Sequence, residues 1–297
     1  MPRFLKIALR IILVIVVLYA GLSVAGAILV MRIPRLQIEG SPSEVGLAYT
    51  NVSFPARNES NILLKGWYFQ GQGDKTILIV HGGFQTRVDN VVDTLALTKG
   101  LVTDGYNVLL FDLRGRGESQ GKGLNILTNE NDIGGAVDFL KTRGGAAHIG
   151  IIGFCSGAAT AAIFAGQENI GAVVLDGCFA TADSMVTRQA TTRGIPAFLV
   201  DSFIPGLRLT VKLFYGAVPK DPINVVPDIS CPVFFIHEQN DNLTSKQETD
   251  ELFAAAKNPA DAIWEIPGAL HSDGYKTDPI DYVNKVNVFF STELTGP

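Results

Sequence analysis

Short apolar runs alternate with longer segments of mixed polarity along most of the chain. Each short run is rich in aliphatic residues and is bounded by Gly, Pro, Asn or Asp, which is typical of strands buried on both faces. The mixed segments between them predict helices, so the pattern favours a parallel sheet covered by helices on both sides. The predicted strands are 76–80, 107–111, 149–154, 172–175, 232–236 and 263–266, and the predicted helices are 89–99, 132–142, 156–166, 246–256 and 279–292.

Two segments depart from this alternation. The runs 52–54 and 63–69 come before the first helix and predict an opening pair of antiparallel strands. Between Leu175 and Pro232 lie roughly 55 residues without a clear strand, which is long for a connection inside a compact domain. We therefore expect a small, partly helical cap inserted at about 178–230. It would lie over the carboxyl ends of the strands, where open α/β sheets bind ligands.

The N-terminal segment 1–35 differs from the rest of the chain. Ile11–Met31 is uncharged and almost wholly apolar over 21 residues, enough to cross the hydrocarbon core of a membrane. The alternative is a secretory signal peptide cleaved near Ala25-Gly26-Ala27, which would release a secreted protein. The apolar run continues past that site, which favours a retained anchor followed by a linker at 36–49. Three basic residues before the run and two after it place the N-terminus inside and the main domain outside.

Composition limits what the remaining residues, 50–297, can be. They have the usual size of one α/β domain. A net charge of −5 without basic clusters excludes nucleic acid as a partner. Three cysteines cannot all pair within one chain, so they do not form a disulfide framework. Cys178 is expected to be a buried thiol, and the alternative is a disulfide between Cys178 and Cys155.

The sequence Gly-Phe-Cys-Ser-Gly at 153–157 joins a predicted buried strand directly to a predicted helix. A strand that turns at once into a helix leaves the turn residue strained and projecting, and here that residue is Cys155. Gly153 and Gly157 fit beside it because side chains would collide with the crowded backbone. Ser156 is one step into the helix, so it offers its backbone N–H and not its hydroxyl. The motif predicts a cysteine nucleophile.

A nucleophile of this kind needs a base, and the base needs an orienting carboxylate. The chain has four histidines. Three of them lie before or at the ends of predicted strands, whereas His271 lies in a loop after the last strand and can reach over the sheet edge. Asp241 follows the preceding strand and is the favoured orienter, with Asp176 and Glu238 as alternatives.

The turn that follows the strand 76–80 exposes backbone N–H groups beside the predicted nucleophile. Two donors are expected to hold a developing oxyanion there. One is the N–H of Ser156 at a helix N-terminus, and the other is that of Gly83 or Phe84. His81 opens this turn and is expected to be a structural hydrogen-bonding residue.

These motifs, taken together and in this order, resemble those of α/β-hydrolases, in particular the hydrolase-4 or serine-aminopeptidase-like branch. The resemblance covers nearly all of residues 50–295. It implies a mostly parallel eight-stranded sheet with helices on both faces, and structural roles for Asp112, Arg114 and Ser119. Most members of that branch have serine at position 155, and the cysteine is similar to that of dienelactone hydrolases. The resemblance is carried by His81-Gly82-Gly83, the segment 111–119, the elbow 153–157, the segment 231–237, Asp241 and His271-Ser272.

The predicted function is hydrolysis of esters, lactones or thioesters through a covalent acyl-enzyme, on a membrane-anchored protein. A thiolate is a good leaving group, so such acyl groups suit it better than amides. No cofactor or metal is expected. The partners would be an acyl or ester substrate, lipid-like ones included, and the membrane through residues 11–31. The alternatives are a catalytically silent binding protein and an acyltransferase that uses the same pocket.

Overall fold

The computed structural model describes residues 2–124, 129–143 and 148–294. Met1 of the predicted anchor and residues 295–297 of the predicted domain lie outside the described residues. Within these ranges, eight strands form one sheet in the order β1-β2-β4-β3-β5-β6-β7-β8. The strands are β1 Thr50–Ala56, β2 Glu59–Phe69, β3 Thr76–Val80, β4 Asn107–Phe111, β5 Ile149–Phe154, β6 Ala172–Asp176, β7 Val233–Glu238 and β8 Ala262–Ile266.

The sheet is mixed at one edge and parallel elsewhere. Strand β1 pairs antiparallel with β2, and β2 pairs antiparallel with β4. All other neighbouring strands are parallel. The carboxyl ends of β3 to β8 therefore meet at one edge of the sheet, and the loops that leave this edge can converge on one site.

Helices cover both faces of the sheet. Successive side chains of a strand point to opposite faces, so Ile151 packs into one core cluster and Ile152 into the other. Helices α3, α4 and α8 contribute to the first cluster, and α2 and α10 to the second. The helices are α1 Arg3–Met31, α2 Thr94–Thr103, α3 Glu130–Lys141, α4 Ser156–Ala165, α5 Ala182–Thr191, α6 Ala197–Tyr215, α7 Pro222–Val225, α8 Lys246–Ala255, α9 Gly274–Thr277 and α10 Pro279–Glu293.

The sequence pattern predicted every strand to within two residues at each end, apart from β2, which begins four residues earlier than predicted. One predicted helix, 89–99, was wrong in position, because α2 begins only at Thr94. The Asp89 carboxylate accepts the N–H groups of Val91 and Val92, which holds a separate turn before the helix. Asp93 then caps α2 from a left-handed conformation, so an amphipathic pattern that begins at Asp89 starts the helix too early.

Two α-helices, α5 and α6, follow β6, and we call residues 182–215 the cap segment. Together with α7 they lie within the predicted insertion at about 178–230, whose exact limits stay a prediction, like the boundaries at 35 and 49. Helix α6 packs along α1, where Ala27 and Met31 form a small core cluster with Val211. Helix α1 is long and apolar enough to span a membrane, and a signal sequence near an N-terminus has the same properties.

The backbone is crowded at the turn between β5 and α4. A Cβ atom added at Gly157 would lie 2.4 Å from the Val80 carbonyl oxygen and 2.5 Å from that of His81. One added at Gly153 would lie 2.6 Å from the Ala158 Cα. These distances confirm the steric reason predicted for both glycines. They show that α4 starts in direct contact with the end of β3.

Gly157→Ala is expected to lower the free energy of unfolding by about 1–3 kcal/mol or more, since two buried backbone carbonyls would have to move. The thermal midpoint of unfolding measures the effect. Gly21→Ala is the matched control, because a Cβ added at Gly21 meets nothing within 4 Å. An equal midpoint for Gly157→Ala and Gly21→Ala would contradict the crowding argument.

Candidate active site

Cys155 occupies the turn between β5 and α4 with φ 52° and ψ −118°. A positive φ is uncommon for a residue other than glycine and marks local strain of the kind found at functional sites. The Cys155 N–H donates to the Asp176 carbonyl oxygen at 2.9 Å, which ties the turn to the end of β6. The side chain is partly exposed at the carboxyl edge of the sheet. This is the geometry of a nucleophile elbow.

The loops that follow β7 and β8 are joined to each other by hydrogen bonds. The Asn240 N–H donates to the Ala269 carbonyl at 2.9 Å, and the Asn240 side chain donates to the Gly268 carbonyl at 3.0 Å. These bonds place Asp241 beside His271. The His271 Nδ1 lies 2.7 Å from the Asp241 Oδ2.

The Asp241 carboxylate is fully buried and has several donors. Its Oδ1 accepts the N–H groups of Leu243 at 2.6 Å and Thr244 at 2.9 Å, and its Oδ2 accepts the Thr244 hydroxyl as well as His271. Burial alone would raise the pKa of Asp241, but the bonds from His271 and Thr244 outweigh burial and lower it. Asp241 therefore stays ionised and can orient the imidazole.

His271 has its second nitrogen, Nε2, buried without a conventional hydrogen bond to any described residue. Burial works against protonation of the ring, but the negative charge of the Cys155 thiolate and the bond to Asp241 raise the pKa of His271 to about 11. The imidazolium form is thus favoured while Cys155 is a thiolate. Because Nδ1 faces Asp241, Nε2 is the atom left to exchange a proton with the sulfur.

The two alternative orienters, Asp176 and Glu238, lie behind the His271 ring. Gly177 separates them from it: an added Cβ there would be 3.2 Å from the His271 Cε1 and 3.5 Å from the Glu238 Oε2. The Tyr282 hydroxyl donates to the Asp176 Oδ2 at 2.6 Å. Burial raises the pKa of both carboxyls, most strongly that of Glu238. Neither carboxyl contacts Nδ1, so the structure places only Asp241 in the orienting position among the described residues.

A small cavity next to the sulfur is lined by Cys155, Ser156, Gly83 and Phe84. Ser156 is the first residue of α4, so its N–H has no acceptor within the helix. The Arg116 Nε donates to the Gly83 carbonyl at 3.1 Å. The N–H across that trans peptide belongs to Phe84 and points away from Arg116. The second donor stays a prediction for Gly83 or Phe84, both of which line the small cavity.

Arg116 is a positioning residue that the sequence analysis missed. Its side chain is almost wholly buried, and burial lowers its pKa to about 10. Its guanidinium also donates to the Arg114 carbonyl at 2.9 Å. The only sequence signal was its place in the segment 111–119, where a buried arginine cannot be told from an exposed one.

The structural roles implied for the segment 111–119 agree with its contacts. The Asp112 carboxylate accepts the N–H groups of Arg87 at 2.8 Å and Glu118 at 3.0 Å. The Ser119 hydroxyl donates to the Asp112 carbonyl at 2.6 Å, and Arg114 pairs with Asp132. These bonds fix the loop that carries Arg116.

His81 is structural, as predicted. Its Nε2 accepts the Leu113 N–H at 3.1 Å, so its Nδ1 carries the proton and donates to the Gly82 carbonyl at 2.7 Å. Burial lowers the pKa of His81 to about 3, which keeps the ring neutral. The Cys155–Cys178 disulfide considered as an alternative is wrong, because all three cysteines are free.

Comparison with known proteins agrees with this geometry. Residues 75–200 match the α/β-hydrolase-fold family. The structure is similar to the Pyrococcus furiosus esterase Pf2001, with a TM-score of 0.74 and 25% identity over 89% of this chain and 100% of that one. The sequence is 27% identical to the uncharacterized protein YqkD of Bacillus subtilis over 226 residues, which are 72% of this chain and 70% of YqkD. It is 25% identical to YfhR of Escherichia coli K12 over 268 residues, 83% and 82% of the two chains.

The chain therefore has the α/β-hydrolase fold, with an eight-stranded, mostly parallel sheet in its described residues and a candidate membrane span at its N-terminus. Its structural neighbours include an esterase, which supports hydrolase activity in general. The hydrolase-4 branch within the superfamily stays a prediction.

The substitution Glu238→Gln tests whether the Glu238 carboxyl, which lies behind His271, is neutral in the folded protein. Because burial raises the pKa of Glu238 in the folded protein, only the unfolded chain ionises this group just above its ordinary value of 4.5. The neutral Glu238 carboxyl makes its full contribution to the free energy of unfolding below pH 4.5. This contribution decreases as the pH rises towards the pKa of Glu238 in the folded protein. Glutamine removes this loss and can donate to the Asp176 Oδ1, which has no other partner.

The thermal midpoint of Glu238→Gln relative to wild type is therefore expected to increase as the pH rises above 4.5. Glu251→Gln, at an exposed position of α8, is the control and should show no such trend. A difference in midpoint that is constant with pH would show that Glu238 is ionised in the folded protein.

Proposed function

We propose that this protein hydrolyses carboxylic esters or related acyl compounds, such as lactones and thioesters, with Cys155 as nucleophile. One observation carries the proposal. The strained elbow residue Cys155 shares the site with His271, whose Nδ1 is hydrogen-bonded to the buried Asp241 carboxylate. His271 transfers the proton and Asp241 orients it. The esterase neighbour and the apolar cap segment support this reading.

The chemistry proceeds in two halves. The Cys155 thiolate attacks the acyl carbon, and the N–H groups of Ser156 and Phe84 hold the oxyanion. The His271 Nε2–H protonates the leaving alkoxide, which departs as an alcohol and leaves a thioester on the sulfur. Water then attacks the thioester and gives its proton to Nε2. The carboxylic acid leaves, and the thiolate–imidazolium pair is restored.

The nature of the nucleophile limits the substrates. A thiolate leaves a tetrahedral intermediate more readily than an amine does, so an amide substrate would return to the starting state. Esters, thioesters and lactones have leaving groups that compete with the sulfur. The carbonyl compounds expected to react are therefore activated acyl groups, not peptides.

The packing of α1 supports its retention as an anchor. Ser23, Ala27 and Met31 are buried on one face of the helix, against α6. Cleavage after Ala27 would remove most of this face and uncover Val211. We therefore favour a single-pass protein over a secreted one, with the N-terminus in the cytoplasm and the catalytic domain outside.

The full chain, reconstituted in detergent, is expected to hydrolyse p-nitrophenyl acetate. Cys155→Ala and His271→Ala should each lower kcat/KM by about 10²–10⁴-fold, because each removes a group that takes part in the chemical step. Cys231→Ala replaces a buried thiol at the start of β7 and serves as the matched control. Release of p-nitrophenolate measures the rate. Equal rates for wild type and Cys155→Ala would refute the proposed nucleophile.

Alkylation by iodoacetamide tests activation of the thiol without any substrate. The His271 imidazolium stabilises the thiolate, so His271→Asn is expected to slow alkylation of Cys155 at neutral pH by about tenfold. Mass spectrometry of the peptide that contains Cys155 gives the rate. The control is His148→Asn. His148 precedes β5, at the end of the strand opposite to Cys155, and its Nδ1 lies 3.2 Å from the Asp74 Oδ2. An unchanged rate in His271→Asn would favour the silent binding protein.

A further inference from the structure

A cavity of about 690 Å³ lies between α1 and the cap segment, and we call it the α1–α6 cavity. Leu22 and Val30 of α1 form part of one wall, and Leu199, Phe203 and Leu207 of α6 form part of the other. Its volume falls in the range of roughly 300–1,000 Å³ that is typical of ligand sites. The polar side chains of its lining are Gln189, Arg193 and Arg32. Such a lining suits a hydrocarbon chain.

The α1–α6 cavity adjoins the candidate active site. Phe84 and Gln189 line both this cavity and the small cavity that contains Cys155. Phe84 is also the residue whose N–H is proposed to hold the oxyanion. An acyl group with its carbonyl at Cys155 can therefore extend its chain past Phe84 into the space between the two helices.

Helix α1, which forms one wall of the cavity, packs against α6 through specific side-chain contacts. The Tyr19 ring stacks on Phe203 with centroids 5.0 Å apart, and the Tyr19 hydroxyl donates to the Ser202 carbonyl at 3.1 Å. A Cβ added at Gly206 would lie 2.1 Å from the Ser23 Oγ, so glycine is required where the helices touch. Small residues of this kind allow helices in a membrane to approach closely.

The depth of the cavity follows from the length of α1. Residues 11–18 are uncharged and exposed, and they precede the contacts with α6. They provide roughly 12 Å of helix, short of the ~30 Å hydrocarbon core. If α1 spans a membrane through its uncharged run 11–31, Leu22 and Val30 of the cavity wall also lie in the hydrocarbon. The opening between the helices then faces lipid chains.

The outer surface of the cap segment is apolar at its tip between α5 and α6. Phe198, next to this tip, is 69% exposed, and Ile195, within it, is 46% exposed. Exposed apolar side chains of this kind can bury in the surface of a bilayer.

We propose that the α1–α6 cavity binds the acyl chain of a membrane lipid ester, which enters sideways from the bilayer between α1 and α6. The inference rests on the proposed function. Cys155 takes the acyl group as a thioester, and the alcohol part of the lipid leaves with the proton from His271. Water then releases the fatty acid and restores the thiol pair. The N-terminal helix is thus both an anchor and a wall of the substrate site.

Ala190→Phe fills the α1–α6 cavity from α5, at a residue that does not line the small cavity at Cys155. In the full chain it should reduce turnover of p-nitrophenyl palmitate by at least about tenfold, which corresponds to the burial of about two methylene groups. Turnover of p-nitrophenyl acetate should stay within about twofold, since its acyl group does not reach the cavity. Ala254→Phe, at an exposed position of α8, is the control. An equal loss for both esters in Ala190→Phe would overturn the proposal.

A binding measurement separates this inference from the proposed chemistry. Cys155→Ala protein in phosphatidylcholine vesicles is irradiated with a diazirine analogue of palmitic acid, and the labelled peptides are mapped by mass spectrometry. Label is expected on residues 22–30 and 186–207, and Ala190→Phe should reduce it at least about fivefold. Label that is insensitive to Ala190→Phe would overturn the acyl site even if the ester is hydrolysed. Specific label without hydrolysis would refute only the proposed function.

The route by which the acyl chain enters is tested by comparing an ester carried in vesicles with an ester dissolved in water. Phe198→Glu places a charge on the tip of the cap segment, outside the lining of the cavity. It should slow the hydrolysis of p-nitrophenyl palmitate carried in phosphatidylcholine vesicles, and leave that of dissolved p-nitrophenyl octanoate unchanged. An equal effect on the two substrates would show that the chain enters from water.

Discussion

The contact between the start of α4 and the end of β3 is the constraint on which the rest of the site depends. With glycine at position 157, the helix approaches the Val80 and His81 carbonyls closely, and Cys155 in the same turn has a positive φ. The same contact brings the turn that carries Phe84 beside Cys155. One steric condition therefore positions both the proposed nucleophile and its proposed oxyanion donors.

The environment of each carboxyl, more than its residue type, decides whether that carboxyl is ionised. Three carboxyls lie near His271, but only Asp241 has enough donors to stay ionised in spite of burial. Among the described residues, the Asp176 carboxyl accepts one hydrogen bond, from the Tyr282 hydroxyl, and burial raises the pKa of both Asp176 and Glu238 and so favours their neutral forms. A second negative charge behind His271 would compete with Asp241 for the proton of the ring. Pairs of titratable groups driven apart in pKa are a common way to assign separate roles to similar side chains.

The sequence predicts the parts of the site that depend on local pattern. The elbow at 153–157 is readable because glycine, nucleophile and glycine must recur at this spacing between a strand and a helix. The choice between Asp241 and Asp176 depends on how two loops meet. The bonds from Asn240 to Ala269 and Gly268 decide it, and no local pattern announces them.

Neither the role of Arg116 nor the start of α2 could be predicted from the sequence, for the same reason. A buried guanidinium that aligns one peptide group is defined by contacts between distant segments, here Arg116 and Gly83. The helix α2 was predicted too early because the pattern records amphipathicity, whereas the Asp89 side chain decides where the turn ends. Residues that act through long-range backbone contacts leave little trace in periodicity.

The relation between α1 and the cap segment shows why a membrane helix can be more than an attachment. Ser23, Gly26 and Ala27 are small, so α6 comes close to α1 near Tyr19 and near Met31. Larger residues would hold the helices apart, and the space between them would be open to water. Close contact above and below leaves an apolar gap between α1 and the cap segment. If this gap is the proposed substrate site, it exists only while α1 is attached, and retention of the helix is coupled to the proposed chemistry at Cys155.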